Sequence, residues 1–153
     1  EFRRVLFRSW RSGQGVGSVP CDPEGIHRAV LNIVSNAVDA VEGRPQAKVG
    51  VQALLEQDGS WARIVVLDNG PGIPEDQQEA IFKPFVSTKG SRGTGLGLPV
   101  SRKIVREHGG DILVQSVLEK GSKFILRLPM KSAFTGDNVA MTGSFPMIPP
   151  KDE

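Results

Sequence analysis

The sequence has little of several residue types on which common protein classes depend. It contains one cysteine and two histidines in 153 residues, which excludes an internal disulfide framework and disfavours a dedicated zinc site. No apolar run approaches the roughly 20 residues that a membrane-spanning helix needs. Lysine and arginine barely outnumber aspartate and glutamate, 19 against 17, so the composition makes no case for a nucleic-acid partner. We therefore expect a protein of a reducing compartment, the cytoplasm, that contacts neither nucleic acid nor membrane.

The composition predicts one domain between two atypical ends. The hydrophobic fraction of 39% and the charged fraction of 24% are typical of a globular domain. Residues 1–15 contain four arginines and one glutamate, and we exclude them from the fold as a non-native or remnant segment; a basic amphipathic arm is the alternative. Residues 131–153 are rich in glycine, proline and small polar residues, which predicts a disordered tail. The domain is expected over residues 16–130.

Hydrophobic periodicity predicts the elements of this domain. An N-cap acceptor and a proline predict a helix start at Asp22, and Gly43 follows its end. A second long helix is expected from about Leu96 to His108, with Val100 on its buried face. A short helix is expected around residues 75–81, and strands at about 48–56, 61–67, 111–118 and 122–128. The elements predict an α+β fold, a two-layer sandwich whose mixed sheet of about four to five strands is covered on one face by about three helices.

The first predicted helix carries two asparagines where a solvent-facing helix usually has lysine, glutamate or glutamine. Asn32 and Asn36 are four residues apart and share a polar face, with Asp39 nearby. Asparagine costs a helix about half a kcal/mol relative to alanine. An ordinary exposed face explains these residues, but a row of amide oxygens is also suited to binding Mg²⁺.

An aspartate directly follows the most apolar predicted strand, in Asp68-Asn69-Gly70-Pro71-Gly72-Ile73. These residue types are those of an ordinary turn, and that interpretation stays open. A carboxylate at the end of an interior strand could instead accept a hydrogen bond from an exocyclic amine. The glycines would then let the backbone approach a flat ring closely.

A glycine-rich segment precedes the second long helix, in Gly93-Thr94-Gly95-Leu96-Gly97-Leu98. Its spacing matches neither a P-loop nor a dinucleotide-binding fingerprint. A glycine-rich turn that leads into a helix N-terminus is nevertheless a physical anion site, and Lys89 and Arg92 add positive charge. A surface loop without a ligand is the alternative.

Taken in order, these residues resemble the sequence boxes of sensor histidine kinases. Residues 32–40 look like the N box, 68–73 like the G1 box, 82–85 like the F box and 93–98 like the G2 box. The resemblance covers about residues 16–129 and looks closest to the nitrogen-regulatory branch of these kinases.

The resemblance implies the Bergerat ATP-binding fold of the GHKL group, with ATP and Mg²⁺ as cofactors. It implies that Asp68 binds the adenine amino group, that Asn36 is the metal ligand, and that Asn32 and Lys89 are catalytic. The implied cofactor-binding residues are Asn32, Asn36, Asp39, Asp68, Gly70, Gly72, Ile73, Lys89, Gly93, Thr94, Gly95, Leu96, Gly97 and Leu98.

The activity that the resemblance implies is that of a protein-histidine kinase. The γ-phosphoryl group of ATP would pass to a histidine on an upstream dimerisation hairpin, and a response regulator would be the further partner. That hairpin is absent from this chain, and neither His27 nor His108 has the context of a phosphoacceptor, so we expect no transfer by the fragment alone. Membrane anchoring would belong to missing upstream segments.

Position 32 bears on the reaction type. ATP-hydrolysing relatives of the group have glutamate where Asn32 stands, and an amide cannot abstract a proton from water. The asparagine therefore favours transfer over hydrolysis. An anti-sigma-type serine protein kinase and a nucleotide-gated interaction module without transfer activity remain the alternatives.

Overall fold

Five strands form one mixed sheet in the computed structural model, which describes residues 6–12, 16–87 and 94–131. The strands are β1 (Leu6–Ser12), β2 (Lys48–Leu55), β3 (Trp61–Asp68), β4 (Asp111–Val117) and β5 (Gly121–Pro129), in the sheet order β1-β2-β3-β5-β4. β1 pairs parallel with β2, and the other neighbours are antiparallel. Two α-helices, α1 (Pro23–Ala40) and α2 (Gly97–Glu107), pack on the sheet. The predicted α+β sandwich is confirmed.

The core lies between the helices and one face of the sheet. Helix α1 begins where Asp22 caps it, because the carboxylate accepts hydrogen bonds from the N–H groups of Glu24 and Gly25, each at 3.1 Å. Its apolar stripe is buried against the sheet. The buried side chains of this stripe are Ile26, Ala29, Ile33 and Ala37.

The register of the strands separates an apolar row from a polar one. Val51, Val66, Phe124 and Val114 pair in turn across β2, β3, β5 and β4, and all four belong to the core or pack against it. Two residues along the strands, the next row on the same face consists of Val49, Asp68, Ser122 and Ser116. Three neighbouring polar side chains therefore lie on the helix-facing side of the sheet, next to the apolar core.

Three expectations about the elements differ from the structure. The short helix around residues 75–81 is two 3₁₀ turns, Glu75–Gln77 and Ala80–Phe82, because its backbone closes through i→i+3 hydrogen bonds, as from Gln78 N–H to Glu75 and from Lys83 N–H to Ala80. Val100 is 40% exposed, whereas Ser101 and Val105 are fully buried; the contact with α1 decides which side of α2 faces inward. β1 lies within the segment that we excluded from the fold.

Two further expectations concern the ends. That residues 1–15 are a non-native segment stays a prediction, and residues 132–153 of the expected tail lie outside the described residues. Among the described helices, none has the length and apolar character that crossing a membrane requires.

Candidate functional site

Asp68 lies at the end of β3 with its carboxylate held by the loop that follows. Its Oδ1 accepts a hydrogen bond from the backbone N–H of Gly70 at 2.8 Å. Burial raises the pKa of Asp68 above its ordinary value, although hydrogen bonds from the backbone of Gly70 and Ser122 and the charge of Arg44 oppose the rise. A half-buried carboxylate of this kind is a strong acceptor for a donor that replaces its lost water.

The second glycine after Asp68 is required by the protein's own backbone. Gly72 has a φ of +75°, and a Cβ there would overlap the carbonyl group of Val117. Glu119 N–H also donates to the Pro71 carbonyl at 2.7 Å. The loop of residues 68–73 therefore lies directly against the turn between β4 and β5, which fixes its shape.

Two polar residues that the sequence analysis did not single out hold the same loop. Ser116 Oγ accepts a hydrogen bond from Ile73 N–H at 2.7 Å and lies 2.9 Å from the carbonyl oxygen of Gly121, to which it donates. Gln78 Nε2 donates to the carbonyls of Ile73 and Ser116 at 3.2 and 3.1 Å. The only sequence signal was a serine at an inward-facing position of β4, which becomes informative once the strand register is known.

The amide-bearing face of α1 touches this loop at one end. A Cβ on Gly70 would lie 3.0 Å from the Cβ of Ala40, and Ala40 lies one helical turn beyond Asn36 on the same face. Asn36 is half-buried, while Asp39 is exposed. The structure thus brings the Asp68 loop and the Asn36 face of α1 into one region.

Asn32 contacts the other helix. Its Nδ2 lies 3.1 Å from Ser101 Oγ and 3.5 Å from the carbonyl oxygen of Gly97. Gly97 is the first residue of α2, so the amide of Asn32 lies at the helix N-terminus that the glycine-rich segment opens. Within the described residues no side chain caps this N-terminus, and its N–H groups are of the kind that bind anions.

The glycine-rich segment is described only in part. Lys89 and Gly93 lie outside the described residues. Gly95 has a φ of +68°, and its carbonyl accepts a hydrogen bond from Phe85 N–H at 3.0 Å. This hydrogen bond joins the residues on either side of the segment 86–94. Thr94 and Leu96, next to Gly95 in the chain, are exposed, whereas Leu98 packs against the core.

A metal ion at this site would depend on amide oxygens. In the described parts of the chain, no group of three or more histidine, cysteine, aspartate or glutamate side chains could hold a metal ion. Mg²⁺ typically uses one or two protein oxygens together with substrate phosphates and waters. The side chain of Asn36 fits that sparse donor set.

Comparison with known proteins identifies the family. The family described as histidine kinase-, DNA gyrase B- and HSP90-like ATPase matches residues 21–132. The sensor histidine kinase ZraS of Escherichia coli (strain K12) is 41% identical over 112 residues, 73% of this chain and 23% of ZraS. Sporulation kinase C of Bacillus subtilis (strain 168) is 39% identical over 111 residues, 72% of this chain and 25% of that kinase. The chain spans about a quarter of the length of these relatives.

Solved structures agree with these matches. The mycobacterial sensor histidine kinase MprB aligns with a TM-score of 0.64 at 33% identity, over 72% of this chain and 74% of that one. The catalytic domain of histidine kinase ThkA aligns with a TM-score of 0.63 at 36% identity, over 73% and 71% of the two chains. The chain therefore belongs to the histidine kinase-, DNA gyrase B- and HSP90-like ATPases, and within them to the ATP-binding catalytic domains of sensor histidine kinases.

Proposed function

We propose that this domain binds ATP with Mg²⁺ and presents the γ-phosphoryl group to a histidine on a dimerisation hairpin of the full-length kinase. One observation carries the proposal: three kinds of binding group meet along α1. The Asp68 loop touches α1 at Ala40, Asn36 lies one turn away, and Asn32 contacts the first turn of α2. A base, a cation and phosphates can thus be held along one helix.

The proposed adenine contact is the carboxylate of Asp68, which accepts a hydrogen bond from the amino group of the base. Gly70, Gly72 and Ile73 border the ring, in a loop that Ser116 and Gln78 hold in place. Backbone N–H groups of the glycine-rich segment bind the phosphates, together with Lys89. That segment contributes Gly93, Thr94, Gly95, Leu96, Gly97 and Leu98.

The proposed metal ligand is the amide oxygen of Asn36, with Asp39 and Asn32 contacting the phosphates and metal-bound waters. When bound, Mg²⁺ neutralises charge on the phosphates. A neutral imidazole nitrogen of the hairpin attacks the γ-phosphorus; a nitrogen–phosphorus bond forms as the bond to the bridging oxygen breaks, and ADP leaves with the electron pair. Since that nitrogen carries no proton, no general base is needed at position 32.

Exposed apolar side chains near the Phe85–Gly95 hydrogen bond are the proposed contact for the hairpin. Phe85 is 79% exposed and Leu96 38% exposed, and Phe85 N–H donates a hydrogen bond to the carbonyl of Gly95, the residue before Leu96. Val100 lies one helical turn after Leu96 and is also exposed. Apolar side chains grouped in this way mark interaction surfaces. The full-length kinase would then phosphorylate a response regulator in the cytoplasm.

The test combines binding and transfer. Calorimetry with ATP and Mg²⁺ is expected to show one site per domain, and mixing the domain with a dimerisation hairpin from a related kinase is expected to transfer radioactive γ-phosphate to the hairpin histidine. A hairpin with that histidine replaced by glutamine is the control. Tight binding with no transfer to any hairpin would overturn the transferase assignment in favour of a nucleotide-gated module, and transfer to a serine of a separate protein would favour the serine kinase.

A further inference from the structure

A fully buried serine joins α2 to Asn32. Ser101 has no exposed surface, and its Oγ lies 2.8 Å from the carbonyl oxygen of Gly97, one turn earlier in α2. The same Oγ lies 3.1 Å from Nδ2 of Asn32. Ser101 and Ser122 are the buried polar residues of the described chain, and burying a hydroxyl is costly unless it is hydrogen-bonded.

The hydrogen-bond roles in this group follow from the short bond between Ser101 and Gly97. The carbonyl of Gly97 can only accept, and Ser101 donates its one hydroxyl hydrogen to it at 2.8 Å. Toward Asn32, Ser101 can then only accept. Asn32 must therefore turn its NH₂ group toward α2, where Gly97 is a second acceptor at 3.5 Å, and its amide oxygen is turned away.

We infer that Ser101 is a positioning residue of the phosphoryl-transfer site, which selects the orientation of the Asn32 amide in which Oδ1 points away from α2. This inference rests on the proposed function, because it takes Asn32 to contact the phosphate and water region. With Oδ1 turned away from α2, the amide offers an acceptor to metal-bound water. In the flipped orientation Oδ1 would face the carbonyl oxygen of Gly97, and Ser101 could donate to it only by giving up its hydrogen bond to Gly97.

The packing indicates that the hydroxyl, more than the volume of the side chain, matters at this position. Val105, one turn along the same face, is equally buried but wholly apolar. Alanine at position 101 would fill almost the same space, yet it would leave the Asn32 NH₂ with only the more distant Gly97 acceptor, so the orientation of the amide would be less strongly fixed. The change Ser101→Ala therefore tests the hydrogen bond with little change in packing.

The experiment measures transfer to a supplied hairpin and ATP affinity for Ser101→Ala and Asn32→Ala singly and together. Ser101→Ala is expected to lower kcat roughly threefold to tenfold, the worth of one hydrogen bond, with the Kd for ATP changed less than about twofold. The double variant is expected to be no slower than Asn32→Ala, because both changes remove the same oriented amide. Ser35→Ala, an exposed serine on α1, is the matched control and is expected to transfer like wild type.

A spectroscopic readout keeps the test independent of activity. The side-chain NH₂ of Asn32, identified in ¹⁵N spectra by its loss in Asn32→Ala, is expected to exchange slowly in wild type and faster in Ser101→Ala, while Ser101→Thr, which keeps the hydroxyl, restores the slow exchange. Unchanged exchange in Ser101→Ala, or additive losses of kcat in the double variant, would overturn the inference. Absence of ATP binding by wild type would instead overturn the proposed function, and the exchange result would still decide the orientation of the amide.

Discussion

The backbone N–H of Asp22 donates a hydrogen bond to Nε2 of His108 at 2.9 Å. The other ring nitrogen, Nδ1, lies 2.7 Å from the carbonyl oxygen of Ile104, which can only accept, so Nδ1 is the donor of that hydrogen bond. Asp22 caps the start of α1 and His108 caps the end of α2. One imidazole thus joins the ends of the two helices that carry the candidate site.

We predict that His108→Ala lowers the free energy of unfolding by about 1–2 kcal/mol, because it removes two hydrogen bonds and leaves the Asp22 N–H without its acceptor. His108→Gln, which can still accept near the Nε2 position, is expected to lose less. Urea unfolding monitored by circular dichroism measures both. If His108 were a phosphoacceptor, ATP would label the wild-type domain but not His108→Gln; we expect neither to be labelled.

Two glycines with nearly the same backbone conformation allow the cost of backbone strain to be measured separately from the cost of a steric contact. Gly72 has a φ of +75° and lies against the carbonyl of Val117, whereas Gly59 has a φ of +70° and nothing within 4 Å of the place where a Cβ would stand. We predict that Gly59→Ala costs about 1 kcal/mol, the conformational penalty alone. Gly72→Ala is expected to cost at least about 2 kcal/mol more, since the loop must move from the β4–β5 turn. Equal losses in denaturant unfolding would show that the close contact with Val117 is unimportant.

The sequence predicts much of the fold, because strand alternation and helix capping are local properties. Asp22 and Pro23 mark the start of α1, and the apolar run before Asp68 marks the interior strand. The error in the buried face of α2 comes from a long-range contact. Periodicity places Val100 on the buried face, yet the fit of α2 against Asn32 requires a small residue, Ser101, on that side.

The residues of the candidate site also fall into those that the local sequence predicts and those that depend on long-range contacts. Asp68 and Asn36 are recognisable because they belong to contiguous sequence boxes. Ser116 acts on Ile73, 43 residues earlier, and Ser101 acts on Asn32, 69 residues earlier. Neither partner is visible until the strand register and the crossing of α1 and α2 are known. In the sequence the serines do not stand out from their polar neighbours, Arg102 beside Ser101 and Gln115 beside Ser116.

The ion pairs at the start of β4 predict an acid-sensitive contribution to stability. Partial burial disfavours the charged form of Asp111, but hydrogen bonds from Arg102 and Arg106 and from the Ile112 N–H outweigh it and lower the pKa to about 2. A lowered carboxyl pKa stabilises the fold above the unfolded value of about 3.9, and this stabilisation is lost as the pH falls toward 2.

We predict that Asp111→Asn costs about 1 kcal/mol at pH 7, a figure discounted for the 35% exposure of the side chain. The difference in unfolding free energy between wild type and variant is expected to shrink between pH 4 and pH 2. Asp58→Asn, at an exposed turn, is the control for the substitution itself. A constant difference across that pH range would contradict the assignment.

Asp68 is expected to trade stability for binding. Burial raises the pKa of Asp68, so its ionised carboxylate lowers the stability of the folded domain at pH values above that pKa. Asp68→Asn removes this loss of stability. The amide oxygen of the asparagine can still accept the hydrogen bond from Gly70. We predict an unchanged or higher melting temperature for the variant without nucleotide. ATP affinity is expected to fall ten- to hundredfold, the worth of a hydrogen bond to a charged acceptor.

We predict that the same carboxylate makes ATP binding sensitive to acid. As the pH falls through the raised pKa of Asp68, protonation replaces the charge-assisted acceptor, so affinity is expected to decline at a higher pH than an ordinary aspartate would cause. Calorimetry of wild type and Asp68→Asn between pH 7 and pH 4 measures this. A variant that binds ATP like wild type, or shows the same decline with pH, would refute the adenine contact.

The metal assignment is tested by the Mg²⁺ dependence of binding. Asn36 lies one turn from Ala40, where the Asp68 loop meets α1, and it is half-buried, a position from which one amide oxygen can ligate a cation that keeps most of its waters. We predict that Asn36→Ala binds ATP in EDTA as well as wild type does but loses most of the gain that wild type shows on adding Mg²⁺. Transfer to a supplied hairpin should nearly vanish, because charge on the phosphates is then poorly neutralised. Asn32→Ala is expected to slow transfer yet keep the Mg²⁺ dependence, so identical Mg²⁺ titrations for wild type and Asn36→Ala would rule out Asn36 as the ligand even if both variants were slow.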